Sequence, residues 1–148
     1  MSGLNRRQKV LALCLTTAPR LISTPAYARD IAPEQLQLAA RNLVETKPDL
    51  AGAIVADWKP LYAPQSDRIV YWEARFVMGR TGEAKGGAII HTGGEVVEFT
   101  TAGPTNFEQM SRLTGGKPFR MVRFGPAYMA AENDRGERIG GRAASPGS

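Results

Sequence analysis

The sequence predicts an α+β domain in which one N-terminal helix packs on a curved antiparallel sheet of four to five strands. An amphipathic stretch comes first, short strands of alternating polarity follow, and glycine-rich turns separate those strands. A helix with one apolar stripe must bury that stripe, and a sheet with one apolar face can cover it. We therefore expect one domain at residues 29–131, preceded by a signal peptide at 1–28 and followed by a disordered tail at 132–148.

Residues 1–28 have the layout of a secretory signal peptide. Basic residues at positions 6, 7 and 9 precede the apolar run at 10–15, and the segment ends on Ala-Tyr-Ala. A positive start, a short apolar core and small residues at the end characterise export signals. The apolar run is far shorter than the roughly 20 residues that span a bilayer. We expect cleavage after Ala28, a periplasmic or extracellular location, and no stable membrane anchor.

The N-terminal segment also has alternative interpretations. The pair Arg6-Arg7 resembles a twin-arginine signal, so the Sec and twin-arginine routes both stay open. The run Leu11-Ala12-Leu13-Cys14 resembles a lipobox, which would place a lipid on its cysteine. A buried first helix of the mature domain is a further alternative, although Pro19 and Pro25 oppose a continuous helix.

The positive charge of the chain belongs mostly to the predicted signal peptide. The chain has 19 basic and 14 acidic residues, for a formal charge of +5. Four basic residues and no acidic ones lie in 1–28, which leaves 15 basic against 14 acidic residues in the rest. A nucleic-acid-binding domain needs a concentrated basic patch. We therefore expect no nucleic-acid partner.

The scarcity of cysteine and histidine excludes several kinds of chemistry. The one cysteine, Cys14, lies in the predicted signal peptide, and His91 is the only histidine. The mature chain therefore has no thiol and no disulfide. Motifs that bind metal through two histidines are impossible, and a catalytic triad would depend on His91 alone. We expect no catalytic constellation, no metal and no cofactor, which favours a protein that is not an enzyme.

Residues 29–48 are predicted to form the helix. Asp30 is a possible N-cap, Pro33 suits the first turn, and Pro48 ends the helix because it disfavours helical geometry at the residue before it. The apolar stripe consists of Leu36, Ala39, Ala40, Leu43 and Val44. These positions follow the helical period, so one face of the helix should pack on the sheet.

Apolar runs, with two faces of different polarity at 68–78 and 95–101, predict the strands that follow. They are expected at 53–62 with a disturbance at Pro60, and at 68–78, 88–92, 95–101 and 119–130 with Pro126 near the middle of the last. A proline inside a strand indicates an edge or a bulge. Between the last two strands, Thr105-Asn106-Phe107-Glu108 predicts a capping box that opens a short helix. Phe107, Met110 and Leu113 are expected to pack inward from this helix.

The order of elements is similar to the cystatin-like roll, in which a curved antiparallel sheet wraps an N-terminal helix. Residues 68–76, 87–90 and 96–100 resemble the propeptide-type domain of bacterial papain-like proteases of the streptopain kind. They share an aromatic strand, a glycine, an aliphatic strand and an acidic-aromatic pair before a small helix. This resemblance implies a stand-alone relative that acts as a protease inhibitor or propeptide-like domain.

Three side chains are predicted to form a binding surface. Trp58 and Tyr62 flank Pro60, and His91 ends a strand beside a glycine turn. Aromatic residues contribute much of the energy of protein interfaces. The leading hypothesis is therefore a secreted, non-enzymatic binding module whose partner is another exported protein.

The alternative hypothesis places function in a pocket of the concave sheet. Candidate pocket residues are Trp72, Glu73, Arg75 and Glu98. Carboxylates that point into such a cavity should have perturbed pKa values. On this hypothesis the chain is a small periplasmic enzyme or ligand-binding protein.

Overall fold

The computed structural model describes residues 32–126 and 128–143. In chain order the elements are α1 (Glu34–Thr46), a 3-10 turn (Pro48–Leu50), β1 (Ala53–Tyr62), β2 (Ile69–Met78), β3 (Ala84–His91), β4 (Val96–Thr100), α2 (Asn106–Leu113), β5 (Arg120–Gly125), β6 (Tyr128–Glu132) and β7 (Arg138–Ala143). The α+β class is confirmed. The predicted signal peptide, its cleavage point and the expected N-cap Asp30 lie outside the described residues.

The strands form one curled, mixed sheet rather than an antiparallel sheet of four to five strands. Its seven strands lie in the order β4-β3-β2-β1-β5-β6-β7. All described pairs are antiparallel except β1 with β5, which run parallel and pair only at Leu61 with Met121 and Tyr62 with Val122. The predicted meander is thus correct for β1 to β4, and the segment after α2 extends the sheet on the other side of β1.

Helix α1 covers one side of this sheet, which we call the outer face. Leu36, Ala40 and Leu43 are buried in a cluster that includes Trp72 and Phe76 of β2. The predicted apolar stripe therefore packs as expected. The helix ends where the N–H of Lys47 donates to the carbonyl of Leu43, immediately before the proline that begins the 3-10 turn.

The opposite side, which we call the inner face, is the side toward which the sheet curls. Arg123 Nη1 on β5 lies 3.6 Å from Glu98 Oε2 on β4. In the strand order these strands are four positions apart, which in a flat sheet would separate them by about 19 Å, since neighbouring strands lie about 4.8 Å apart. Met110 of α2 is buried in the inner cluster with Ile89 and Met121. The helix on the inner face is therefore α2, whereas the predicted roll placed the N-terminal helix there.

The capping box that opens α2 is confirmed. Thr105 Oγ1 accepts the N–H of Glu108, and the Glu108 carboxylate accepts the N–H of Thr105. Met110 is buried and Phe107 is half-buried, as expected. Leu113 is 60% exposed, so its inward orientation was predicted wrongly.

The C-terminal part differs most from expectation. The predicted single strand at 119–130 is two antiparallel strands, β5 and β6, with Pro126 in the turn that joins them. The predicted tail at 132–148 contains β7, which pairs with β6 over most of its length. Main-chain pairing to β6 requires no apolar side chains, and Ile139 of β7 packs against the inner cluster. Composition alone therefore wrongly predicted disorder for the part of the tail that forms β7. Residues 144–148 lie outside the described part of the chain.

Candidate functional site

A cavity of about 280 Å³ opens on the inner face between β3, β4 and α2. Its lining combines two carboxylates, two amides, two hydroxyl groups and several apolar groups: Glu73, Gly87, Ala88, Ile89, Glu98, Phe99, Thr100, Ala102, Pro104, Thr105, Asn106, Gln109 and Met129. The volume lies just below the roughly 300 to 1,000 Å³ of sites for drug-sized ligands. The cavity therefore has room for a smaller molecule.

Glu73 forms the back of this cavity and holds the start of α2. Its carboxylate accepts hydrogen bonds from the N–H of Asn106 at 2.9 Å, from Asn106 Nδ2 at 2.6 Å and from the N–H of Phe107 at 2.8 Å. The first N–H groups of a helix have no partner within the helix, and an anion there is also favoured by the helix dipole. Glu73 therefore ties β2 to α2 and fixes one wall of the cavity.

Burial shifts the titration of this carboxyl group. Desolvation raises the pKa of Glu73 above its ordinary value of 4.5, and the negative charge of Glu98 raises it further. The hydrogen bonds from Phe107 and Asn106 act in the opposite direction but do not cancel the effect of burial. A perturbed carboxyl in a cavity matches the expectation of the pocket hypothesis.

Arg123 is a buried cation whose hydrogen bonding is incomplete. Its side chain is only 5% exposed, its Nη2 donates to the carbonyl of Pro126 at 2.8 Å, and its guanidinium lies 4.8 Å from the centre of the Tyr71 ring. Nη1 is buried and has no hydrogen-bond partner among the described residues. Buried polar atoms are nearly always hydrogen-bonded, so an orphaned guanidinium nitrogen needs an explanation.

Glu98 stands between this cation and the cavity. Its Oε2 lies 3.6 Å from Arg123 Nη1, and its side chain is 40% exposed. A charge-assisted hydrogen bond between such groups measures about 2.7 to 2.9 Å. The pair therefore attracts electrostatically without forming that bond, and Glu98 lines the cavity as a loosely held carboxylate.

The structure brings together two of the four predicted pocket residues. Glu73 and Glu98 line the cavity. Arg75 lies in an adjoining depression with Glu73, where its Nη1 is 3.9 Å from Glu108 Oε1. Trp72 is buried on the outer face against α1 and takes no part in the cavity. Successive residues of a strand point to opposite faces, so Trp72 and Glu73 cannot line the same pocket.

The three residues predicted as a binding surface do not form one surface. Trp58 packs at the outer cluster, whereas His91 pairs in register with Tyr71, which packs at the inner cluster. His91 Nδ1 accepts the N–H of Gly93 at 3.0 Å, and its ring makes an edge contact with Tyr71. Tyr62 lies under the guanidinium of Arg120, 5.1 Å from ring centre to Cζ.

Trp58 does line a groove of its own, which we call the α1–β1 groove. The groove has a volume of about 460 Å³ and is lined by Gln37, Arg41, Val44, Glu45, Ala53, Ile54, Val55 and Trp58. Strand β1 pairs with β2 throughout, but with β5 only at its last two residues. Within the part of the chain that the structure describes, the first part of β1 therefore has an open edge beside α1, which agrees with the edge or bulge that Pro60 predicted.

Sequence reasoning missed Arg123, Asn106, Gln109 and Met129 as residues in or beside the cavity. The strand period could have identified Arg123, because it lies two residues after Met121 and so on the same face of the strand. A cation on an otherwise apolar strand face is unusual unless it is paired. For Asn106 the signal was weaker, because its link to Glu73 joins residues 33 positions apart.

Neither a metal site nor a membrane-spanning helix is found within residues 32–126 and 128–143. No cluster of three or more histidine, cysteine, aspartate or glutamate side chains in this part of the chain is arranged to hold a metal ion. Within the same residues, no helix has the length and apolarity that crossing a membrane requires.

Comparisons with known proteins supply no relative. No family model matches the chain, and neither the curated proteins nor the solved structures contain a significant match. The cystatin-like and propeptide-like resemblances therefore stay predictions.

Proposed function

We propose that the chain is an exported binding protein that takes a small polar molecule into the cavity of the inner face. The observation that carries this proposal is a cavity of about 280 Å³ whose wall includes the buried Glu73 and the loosely held Glu98. A concave site with apolar lining and a few convergent polar groups is the usual form of a small-molecule site. The proposal takes up the pocket hypothesis in its non-enzymatic form.

The chemistry of the lining favours binding over catalysis. Glu73 has both carboxylate oxygens occupied by donors at the start of α2. A general base must reach the proton that it abstracts, and these bonds hold the Glu73 carboxylate in place. Glu98, the other carboxylate of the lining, is paired electrostatically with Arg123 at 3.6 Å. His91 does not line the cavity and uses Nδ1 to accept from Gly93. The polar groups of the cavity are thus suited to recognising charge and hydrogen-bonding groups.

The test is the thermal stability of the purified protein with separate pools of L-amino acids, monosaccharides, polyamines and short carboxylates. A ligand present at 100 times its Kd stabilises the folded state by about 2.7 kcal/mol. We expect at least one pool to raise Tm. Ala102→Trp should remove the shift because Ala102 is exposed at the cavity rim, whereas Leu38→Trp on the exposed side of α1 should retain it. A Tm unchanged by every pool contradicts the proposal.

The α1–β1 groove supports a second candidate function, the binding of another exported protein. The open edge of β1 offers unpaired main-chain groups, which pair with an extended segment of a partner in strand addition. Trp58 and Val55 supply an apolar wall for side chains of that segment. The resemblance to protease propeptides implies a papain-like protease as the partner.

This second candidate is tested by measuring papain activity on a fluorogenic peptide with increasing concentrations of the protein. We expect inhibition that Trp58→Ala weakens and that Leu38→Ala leaves unchanged, since Leu38 is exposed and does not line the groove. Full papain activity at the highest protein concentration, with no complex on a native gel, contradicts it.

A further inference from the structure

We infer that the ligand of the inner-face cavity is a zwitterion of the α-amino-acid type, whose carboxylate binds Arg123 and whose ammonium group binds Glu98. This inference rests on the proposed function, and it names the class of ligand for the same cavity. Arg123 is buried although its Nη1 has no hydrogen-bond partner among the described residues.

No carboxylate of residues 32–126 or 128–143 lies at hydrogen-bond distance from Arg123. Removing a cation from water costs several kcal/mol even after the protein relaxes. The carbonyl of Pro126 and the Tyr71 ring offset part of this desolvation cost for Arg123. Nη1 donates to nothing, and the nearest anion, Glu98, lies 3.6 Å away and is 40% exposed. A carboxylate that reached Nη1 would supply the missing bond.

The position of Arg123 makes this nitrogen accessible from the cavity once Glu98 moves. In the β5–β6 pair Arg123 is directly opposite Met129, which lines the cavity, and residues opposite each other in a sheet point to the same face. Arg123 itself is not among the lining residues, but Glu98, which lies 3.6 Å from Nη1, is one of them. Because the Glu98 side chain forms no hydrogen bond with another described residue and is partly exposed, its displacement disrupts little else in that part of the chain.

Charge balance decides which ligand fits. A simple carboxylate would lie near both Glu73 and Glu98, and like charges at this range repel. A simple amine would pair with Glu98 but leave Nη1 orphaned. A molecule with a carboxylate and an ammonium group on one carbon places each charge beside its opposite, and Ile89 and Met129 provide apolar surface for its side chain.

The experiment compares three probes that share one alkyl chain. L-norvaline carries both charges, pentanoate lacks the ammonium group, and n-butylamine lacks the carboxylate. We measure Kd for each with the purified protein by isothermal titration calorimetry. We expect L-norvaline to bind at least about tenfold more tightly than either single-charge probe, which corresponds to about 1.4 kcal/mol.

Glu98→Gln should change the affinities for two probes in opposite directions, which a purely structural role of Glu98 would not produce. It removes the partner of the ammonium group and also the charge that repels anions. We expect affinity for L-norvaline to fall about tenfold while affinity for pentanoate rises. Glu95→Gln, an exposed carboxylate in the β3–β4 turn, is the matched control and should change neither affinity. Arg123→Lys keeps the buried charge but loses the planar fork, and it should weaken L-norvaline and pentanoate alike.

The outcomes separate the inference from the proposed function. Equal or tighter binding of pentanoate or n-butylamine overturns the zwitterion assignment while leaving a small-molecule site in place. If L-norvaline does not bind but another pool raises Tm in an Ala102-dependent way, the ligand class is wrong and the cavity function stands. If no probe and no pool binds, both fail.

Discussion

Replacing Glu73 by leucine should destabilise the fold, because three partly buried donors at the start of α2 depend on this carboxylate. The side chain is 3% exposed and accepts from two main-chain N–H groups and one amide. A buried donor left without a partner costs about 1 to 3 kcal/mol. The two main-chain donors alone therefore cost about 2 to 6 kcal/mol.

Part of this cost is offset in the variant. Leucine avoids the desolvation of a carboxylate and adds apolar burial worth about 1 to 2 kcal/mol. The net loss in free energy of unfolding should therefore be about 1 to 4 kcal/mol, and the middle of this range corresponds to a Tm lowered by about 10 °C for a domain of this size. Glu73→Gln keeps one carbonyl acceptor, so we expect an intermediate loss.

The assay is urea unfolding followed by tryptophan fluorescence and circular dichroism, with Glu95→Gln as the surface control. Amide hydrogen exchange supplies a local readout: the N–H groups of Asn106 and Phe107 should exchange faster in Glu73→Leu than in the wild type. A loss below about 0.5 kcal/mol, within the range of ordinary surface substitutions, would refute the account of how β2 is tied to α2.

Two further predictions follow from the same geometry. Because burial raises the pKa of Glu73 above 4.5, the folded state binds the proton of Glu73 more tightly than the unfolded chain does. The contribution of Glu73 to the free energy of unfolding should therefore fall as pH rises from 4.5 through the raised pKa. Urea titrations at several pH values should show that Glu73→Gln flattens this pH dependence. An unchanged slope in the variant would contradict this assignment. Gly86 has a φ of +82°, and a Cβ there would collide with the Thr100 carbonyl on β4, so Gly86→Ala should cost at least about 2 kcal/mol of unfolding free energy. Gly94 has a φ of +97° and open space around it, so Gly94→Ala measures the backbone strain alone and should cost about 1 kcal/mol of unfolding free energy. Equal losses of unfolding free energy in Gly86→Ala and Gly94→Ala would show that the contact with β4 is unimportant.

Local patterns were sufficient to predict α1, the first four strands and the capping box of α2. The helical period of the stripe from Leu36 to Val44 and the alternation in β2 each depend on near neighbours in the chain. The turn at Pro126 was missed because apolar and aromatic residues lie on both sides of it and read as one continuous strand. β7 was missed because its pairing uses the main chain, and its glycines and arginines resemble a disordered composition.

The site required contacts that no local pattern contains. Glu73 and Arg75 share a strand face, and no local pattern shows that only Glu73 is fully buried. Burial of Glu73 follows from the position of α2, which starts 33 residues later. The approach of Arg123 to Glu98 follows from the curl of the sheet and the parallel pairing of β1 with β5. Such long-range geometry depends on the whole fold.

The central claim, that the inner-face cavity binds a small polar molecule, is tested most directly by ¹⁵N–¹H correlation spectra of the protein titrated with L-norvaline and with the small-molecule pools. The account predicts shift changes concentrated at the amides of Ile89, Glu98, Asn106 and Gln109, which Ala102→Trp abolishes. Changes confined to Ile54, Val55 and Trp58 would instead place binding in the α1–β1 groove. Spectra that no pool alters would contradict the claim.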